Sequence, residues 1–267
     1  MTDTRGRQHL IRKKTGRRVI AIMYRIFWSL LAGAVILYPL FAEQEARNRL
    51  QGVVSEENGA PIAGAKIFAW RDAMSDAQGK FELENLPSQD SVIYFQKEGF
   101  RPKASVLKAG ASSLVAVLED DAKSAWVMPG CKRTDAGTSP VGQQVKFLLP
   151  KNSQVRKVKD IDYQEYLVAF AKDAPQLQLW WGPMVTSGKA VNDLILQSAS
   201  FELRSIHRDS GETVGYDQRG KTVDGKMWRS ADFPGLSGAA IYEGVSIEAA
   251  KAYNQIIDSA CQLSKVR

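Results

Sequence analysis

The sequence predicts an N-terminal signal or anchor helix over residues 1–42, an all-β sandwich over 48–120, and an α+β domain over 124–267 with a mainly antiparallel sheet and a C-terminal helix. Three observations carry this expectation. A basic leader runs into an uncharged apolar stretch. Short alternating runs between Leu50 and Leu118 are broken by Gly, Pro, Asn and Asp. The pattern then changes to mixed helix and strand signals after Asp121.

A chain of 267 residues with 44% hydrophobic and 24% charged residues is long enough for one or two cores. Its formal net charge of +7 points toward nucleic acid until the charge is located. Met1 to Ala42 holds Arg5, Arg7, Arg12, Lys13, Lys14, Arg17, Arg18 and Arg25 against the single acid Asp3, which accounts for the whole excess. From Glu43 onward the chain is neutral, so a nucleic-acid partner is not expected.

Ile26 to Ala42 carries no charge and is followed at once by Glu43, Gln44 and Glu45. A positive flank, an apolar core and a polar exit describe a secretory signal or an uncleaved anchor. The alternative, a buried helix of a globular domain, is seldom apolar all round beside so basic a flank. Cleavage after Ala42 is favoured by Pro39 and opposed by Leu40, a poor residue three before the cut. The apolar run is at the short limit for spanning a bilayer. Arg17-Arg18 matches a twin-arginine signal only weakly, with Gly16 and Ala21 beside it. In either case the remainder is expected to be exported, periplasmic or extracellular, with membrane contact through Val19 to Ala42 if that segment is retained. Cys131 and Cys261 are the two cysteines of the chain. In an oxidising compartment an even pair is most simply a disulfide, two buried thiols being the alternative.

Leu50, Gly52 and Val54 alternate before the turn at Glu57-Asn58-Gly59. Ala65 to Trp70 forms another alternating strand, and Ser75 to Gly79 a second turn. Phe81 and Leu83 share a face, Leu86-Pro87 ends their strand, Val92 to Gln96 forms the next, and Leu114, Ala116 and Leu118 lie on the last. The order Gly52-x-Val54, Asn58-Gly59-x-Pro61-Ile62-x-Gly64-Ala65-x-Ile67, Ser75-Asp76-x-x-Gly79-x-Phe81-x-Leu83-x-x-Leu86-Pro87 and Gly99-Phe100 resembles the carboxypeptidase regulatory-like domain. The resemblance implies a transthyretin-like Greek-key sandwich of about seven strands over a quarter of the chain. Ser88-Gln89 depart from it where members often carry glycine.

The family is a spacer or binding module in most settings, so the resemblance implies no reaction. Its motif residues are turn formers and core residues, and Asp76 is expected in an Asx turn in preference to a calcium site. A zinc carboxypeptidase site needs two histidines and a glutamate. This chain has only His9, in the leader, and His207, and it contains no HExxH. No metal or cofactor is expected.

Beyond Asp121, strands are expected at Val145 to Leu149, Gln164 to Phe170, Leu177 to Trp181 and Phe201 to His207, with a short helix over Lys189 to Gln197. Asp224-Gly225 suits a two-residue hairpin turn between Thr222 and Trp228. Ser246 is an N-cap for a helix whose stripe of Ile247, Ala250, Tyr253, Ile257, Ala260 and Cys261 extends to about Leu263. No family resemblance is found here.

Candidate chemistry in this half is sparse. Gly235-Leu236-Ser237-Gly238-Ala239 lacks the last glycine of a nucleophile elbow and reads as a Gly-rich loop. His207 shares a face with Phe201, Leu203 and Ser205, as a half-buried structural histidine would. Cys131, His207 and Cys261 lack the short spacing of a zinc site. With the two-residue turn, Asp217 faces Asp232, a pair of carboxylates that can divide acid and base roles in sugar hydrolysis, against the alternative of a salt-bridged hairpin surface. Trp180 lies beside Gln178 on the strand face opposite Leu177, Leu179 and Trp181, where it offers a stacking platform unless a helix covers it. The expectation is a non-catalytic exported bacterial cell-envelope protein binding a protein or glycan, the alternative being a carboxylate-dependent hydrolase.

Overall fold

The computed structural model describes residues 49–123, 125–131, 145–160, 163–170, 175–182 and 188–262. The signal or anchor expectation falls outside these residues. Among those described, no helix is long and apolar enough to cross a membrane.

Seven strands build the first half in two sheets. Strands β1 (Arg49–Glu56), β4 (Lys80–Glu84) and β7 (Ser113–Leu118) form the order β4-β1-β7, with β1 and β7 parallel. Strands β2 (Lys66–Phe68), β3 (Asp72–Met74), β5 (Ser91–Gln96) and β6 (Lys103–Leu107) form the order β3-β2-β5-β6. Strict alternation in β4 sends Phe81 and Leu83 inward, where they meet Leu50, Val54, Ile67, Ile93, Phe95 and Leu118. Phe81 meets Phe95 edge to face at 5.7 Å.

The turn at Ser75 to Gly79 has a steric cause. Asp76 Oδ1 accepts from the amides of Gln78 and Lys80 at 2.9 and 2.8 Å, an Asx turn as expected. Gly79 follows at φ +73°, where a Cβ would stand 2.3 Å from the Val54 carbonyl oxygen. Only glycine fits there.

The second half is built on one eight-stranded sheet. Its strands are β8 (Trp126–Met128), β10 (Gln154–Asp160), β11 (Gln164–Ala169), β12 (Leu177–Trp181), β13 (Ser198–Arg208), β14 (Thr213–Thr222), β15 (Met227–Phe233) and β16 (Gly238–Val245). Their order is β10-β11-β12-β16-β15-β14-β13-β8, antiparallel throughout except for β13 with β8. Helices α1 (Gly188–Leu196) and α2 (Ile247–Asp258) cover opposite faces. Ala250, Tyr253, Ile256 and Ile257 of α2 pack on Leu177, Leu179, Trp181, Ala231 and Tyr242. On the other face, Val191, Leu194 and Ile195 of α1 share a smaller core with Leu203, Trp228 and Ile241 of the sheet and with Val92 and Ala104 of the sandwich.

Three sequence expectations change here. The terminal helix begins at the Ser246 cap, whose Oγ accepts from Ala249 N, but it stops at Asp258. Ser259 ends it, donating its hydroxyl to the Ile256 carbonyl and accepting from Leu148 N. Cys261 therefore lies on the short strand β17 (Cys261–Gln262), paired with β9 (Val145–Lys146), and not on the helical stripe. The expected strand over Val145 to Leu149 shortens to these two residues. The hairpin turn is longer than two residues. Thr222 N donates to the Lys226 carbonyl and Gly225 N to the Thr222 carbonyl, so pairing begins at Lys221 with Met227.

Candidate functional site

A one-residue change of register moves every side chain of a strand to the other face. Because the loop is three residues, Val223 to Gly225, closed by the bond from Thr222 N to the Lys226 carbonyl, Asp217 pairs with Ala231 and Asp232 with Tyr216. The two carboxylates proposed as an acid and base pair point to opposite faces of the sheet.

Asp217 faces α2. Its carboxylate is closed to solvent and accepts from Arg229 Nε and Nη2 and from Arg204 Nε. Arg229, also fully buried, continues to Asp258 at 2.6 Å and Asn254 at 3.1 Å, and Tyr242 donates to Asn254. The guanidinium carbons of Arg204 and Arg229 lie 5.4 and 5.5 Å from the Trp126 ring. Burial is the largest single influence and works to lower the Arg229 pKa, but the charges and hydrogen bonds of Asp217 and Asp258 together outweigh it and hold the guanidinium above its ordinary value. With both oxygens of Asp217 held by arginine, the cluster ties three central strands to α2.

The opposite face meets the sandwich and carries the other sequence candidates. Cross-strand pairing aligns Ser205, Tyr216, Asp232, Ala239 and Trp180 in one row. The adjacent row holds Leu203, Gln218, Ser230, Ile241 and Gln178. Trp180 and Gln178 thus share a face with Asp232, and Leu177, Leu179 and Trp181 point away, as the alternation of β12 requires. Trp180 is half-buried and packs against the cluster to which α1 contributes Val191, Leu194 and Ile195.

Polar groups cross this seam. Tyr94 on β5 donates to Asn192 Oδ1 on α1 at 2.5 Å, and Gln96 donates Nε2 to the Tyr216 hydroxyl oxygen. Burial pushes the Tyr94 phenol well up, with the Asp232 charge adding to it. The Tyr216 phenol is raised by burial, against the opposing bond from Gln96. Arg101 Nε caps the Leu203 carbonyl at 2.8 Å.

At the β13 end the seam opens into a basin of about 960 Å³, lined by Gln96, Asp121, His207, Arg208, Glu212 and Tyr216 among others. A bulge between Ile206 and His207 breaks the alternation there. It brings His207 Nε2 to 2.8 Å from Asp121 Oδ2, while Nδ1 lies 3.0 Å from the Gly211 carbonyl. Both ring nitrogens face acceptors, so the imidazole braces β13 to the 3-10 turn at Asp121–Lys123. The sequence showed His207 but not Asp121, 86 positions away. A smaller cavity of about 320 Å³ adjoins the basin and shares Gln96, Pro102 and Tyr216 with it.

Ser237 takes φ +54° between a 3-10 turn and β16, a backbone role within the glycine-rich loop. Cys131 and Cys261 are joined in a disulfide with their Cα atoms 4.9 Å apart. That geometry leaves no thiols for a zinc site with His207. Among the described residues, no group of three or more His, Cys, Asp or Glu is placed to hold a metal ion.

The two sheets and the turn motifs together assign the first half. Residues 49–119 are a carboxypeptidase regulatory-like domain. The family model matches about a quarter of the chain, and the regulatory-like domain supplies the β5 and β6 wall of the seam. No curated protein matches the chain. Among solved structures, chlorocatechol 1,2-dioxygenase from Pseudomonas putida is 14% identical over 27% of this chain and 59% of its own, with a TM-score of 0.21. A protein from Bacteroides uniformis, named as a candidate carbohydrate binding protein, is 9% identical over 74% of this chain and 95% of its own, with a TM-score of 0.23. Both scores are too low to indicate a shared fold.

Proposed function

We propose that the chain is a non-catalytic, exported protein of a bacterial cell envelope, in which the regulatory-like domain supports the α+β domain of residues 124–267 for binding a protein or glycan. The observation that carries this reading is the basin of about 960 Å³ where the two halves meet. Its walls mix an amide, a phenol, a guanidinium and carboxylates, the donors and acceptors by which polar ligands are oriented. Export is supported by the basic and apolar leader and by the Cys131 to Cys261 bond, which persists in oxidising compartments. The hydrolase alternative lacks a shared face for Asp217 and Asp232.

The test uses the full-length chain with a C-terminal tag, expressed in a bacterium. Mass spectrometry of the mature N terminus reports cleavage, and fractionation reports export. Retention of the protein on peptidoglycan, polysaccharide or envelope proteins is then compared with that of Ala125→Trp, which wedges an indole into the basin. Retention on one of these that is lost in the variant is expected. Retention on none, or recovery from the cytoplasm alone, overturns the proposal.

A further inference from the structure

Asn58 and Gly59 lie in the turn between β1 and β2, away from the seam, and both are exposed. A Cβ built on Gly59 meets nothing within 4 Å. Asn58 Oδ1 accepts from Ala60 N at 2.7 Å, and the ring closed by this bond contains both the side-chain amide carbon of Asn58 and the nitrogen of Gly59. The bond from Asn58 Nδ2 to Glu56 Oε2 is long, at 3.4 Å, so the amide nitrogen is loosely held.

We propose that Asn58 is a site of spontaneous deamidation, with water as the co-reactant, and that its isoaspartate product loosens this end of the sandwich. The Gly59 nitrogen attacks the amide carbon, its proton passes to the departing NH2 group, and ammonia leaves as a cyclic succinimide closes. Water then opens the ring. Attack on the side-chain carbonyl returns an ordinary aspartate, and attack on the main-chain carbonyl diverts the backbone through the side chain as isoaspartate.

The turn favours the first step at this asparagine. Ala60 N–H stays directed at Oδ1, where negative charge gathers as the bond forms. The Gly59 N–H must leave the Glu56 carbonyl, 3.0 Å away, which costs one hydrogen bond in an exposed turn. The other asparagines of the chain precede Arg49, Leu86, Ser153, Asp193 and Gln255, whose side chains crowd the closing ring where glycine has none. Asn192 and Asn254 are held as well, by Tyr94 and by Arg229 and Tyr242.

The consequence follows from what the turn supports. Isoaspartate inserts a methylene group into a turn closed by Glu56 N on the Ala60 carbonyl, beside the pairing of Ser55 with Pro61. Val54, on the same strand, donates its N–H to the Gly79 carbonyl, so the lengthened turn disturbs the segment on which Gly79 is packed. Aspartate keeps an oxygen for Ala60 N and leaves that segment in place.

The experiment incubates the full-length folded chain for weeks at mildly alkaline pH, then maps its peptides by mass spectrometry with isoaspartate methyltransferase labelling. The Asn58 peptide should exchange NH2 for OH at least about tenfold faster than any other asparagine peptide, and should take the label. Asn58→Ser should abolish the change, and Gly59→Ala should slow it about tenfold or more by crowding ring closure. The aged, labelled protein should unfold at lower urea than fresh protein, whereas fresh Asn58→Asp should match the parent. An Asn58 that stays intact, equal rates at other asparagines, an undiminished rate in Gly59→Ala, or an unchanged urea midpoint in the labelled protein overturns the proposal.

Discussion

Arg229 donates Nε to Oδ1 of Asp217 at 2.7 Å and Nη2 to Oδ2 at 3.1 Å, and solvent reaches neither side chain. Removing the negative charge leaves a buried guanidinium with only the half-exposed Asp258 to balance it. Asp217→Asn should therefore cost about 3 to 5 kcal/mol of folding stability, read by urea denaturation. An unchanged midpoint would show that Asp217 is not the structural partner of Arg229.

The disulfide closes a long loop, with Cys131 and Cys261 separated by 130 positions. In the chain-entropy model such a closure contributes up to about 5 kcal/mol. Mapping of the native protein without reductant should recover the Cys131 to Cys261 peptide pair, and reduction should lower the melting temperature. Free thiols in freshly isolated protein would contradict the bond.

Two turn glycines separate strain from collision. Gly59 has φ +84° with nothing near its absent side chain, whereas Gly79 has φ +73° and the Val54 carbonyl at 2.3 Å from a built Cβ. Gly59→Ala should cost about 1 to 2 kcal/mol from backbone strain alone. Gly79→Ala should cost more, because strand β1 must also shift. Equal losses in chemical denaturation would remove the steric argument.

Burial pushes the Tyr242 phenol up to about 12 from an ordinary 10.0, partly relieved by Arg229. The unfolded chain loses this proton first, so the stability carried by the neutral phenol is complete below pH 10.0 and declines as pH rises toward 12. Tyr242→Phe gives up the hydrogen bond to Asn254, about 1 kcal/mol, but its stability should fall less steeply over that range. Denaturant midpoints at a series of pH values compare the two slopes.

Much of the sandwich was legible because its signals are local. Alternation in β4 and the positive-φ glycines act within a few residues, so Phe81, Leu83 and Gly79 could be placed from sequence. The same holds for Ser246 as a helix cap and for the two faces of β12. Strand β10 was missed because Gln154 to Val158 are exposed on a sheet edge, and an edge strand rich in Arg and Lys has no buried face to reveal it.

The sequence by itself determined a regulatory-like domain at about Leu50 to Leu118, which the family model matches at residues 49–119, the pairing of its only two cysteines as the simplest outcome, and the face on which Trp180 stands. Only the tertiary structure decided the fate of the carboxylates. One added residue in a turn sends Asp217 to Arg229 beneath α2 and Asp232 to the seam with the sandwich, and loop length is set by hydrogen bonds around Thr222 that periodicity does not encode. The seam itself was beyond sequence reasoning, since Gln96 and Tyr216 are 120 positions apart and Asp121 and His207 are 86 apart. Their meeting depends on how two sheets pack, which no local pattern specifies.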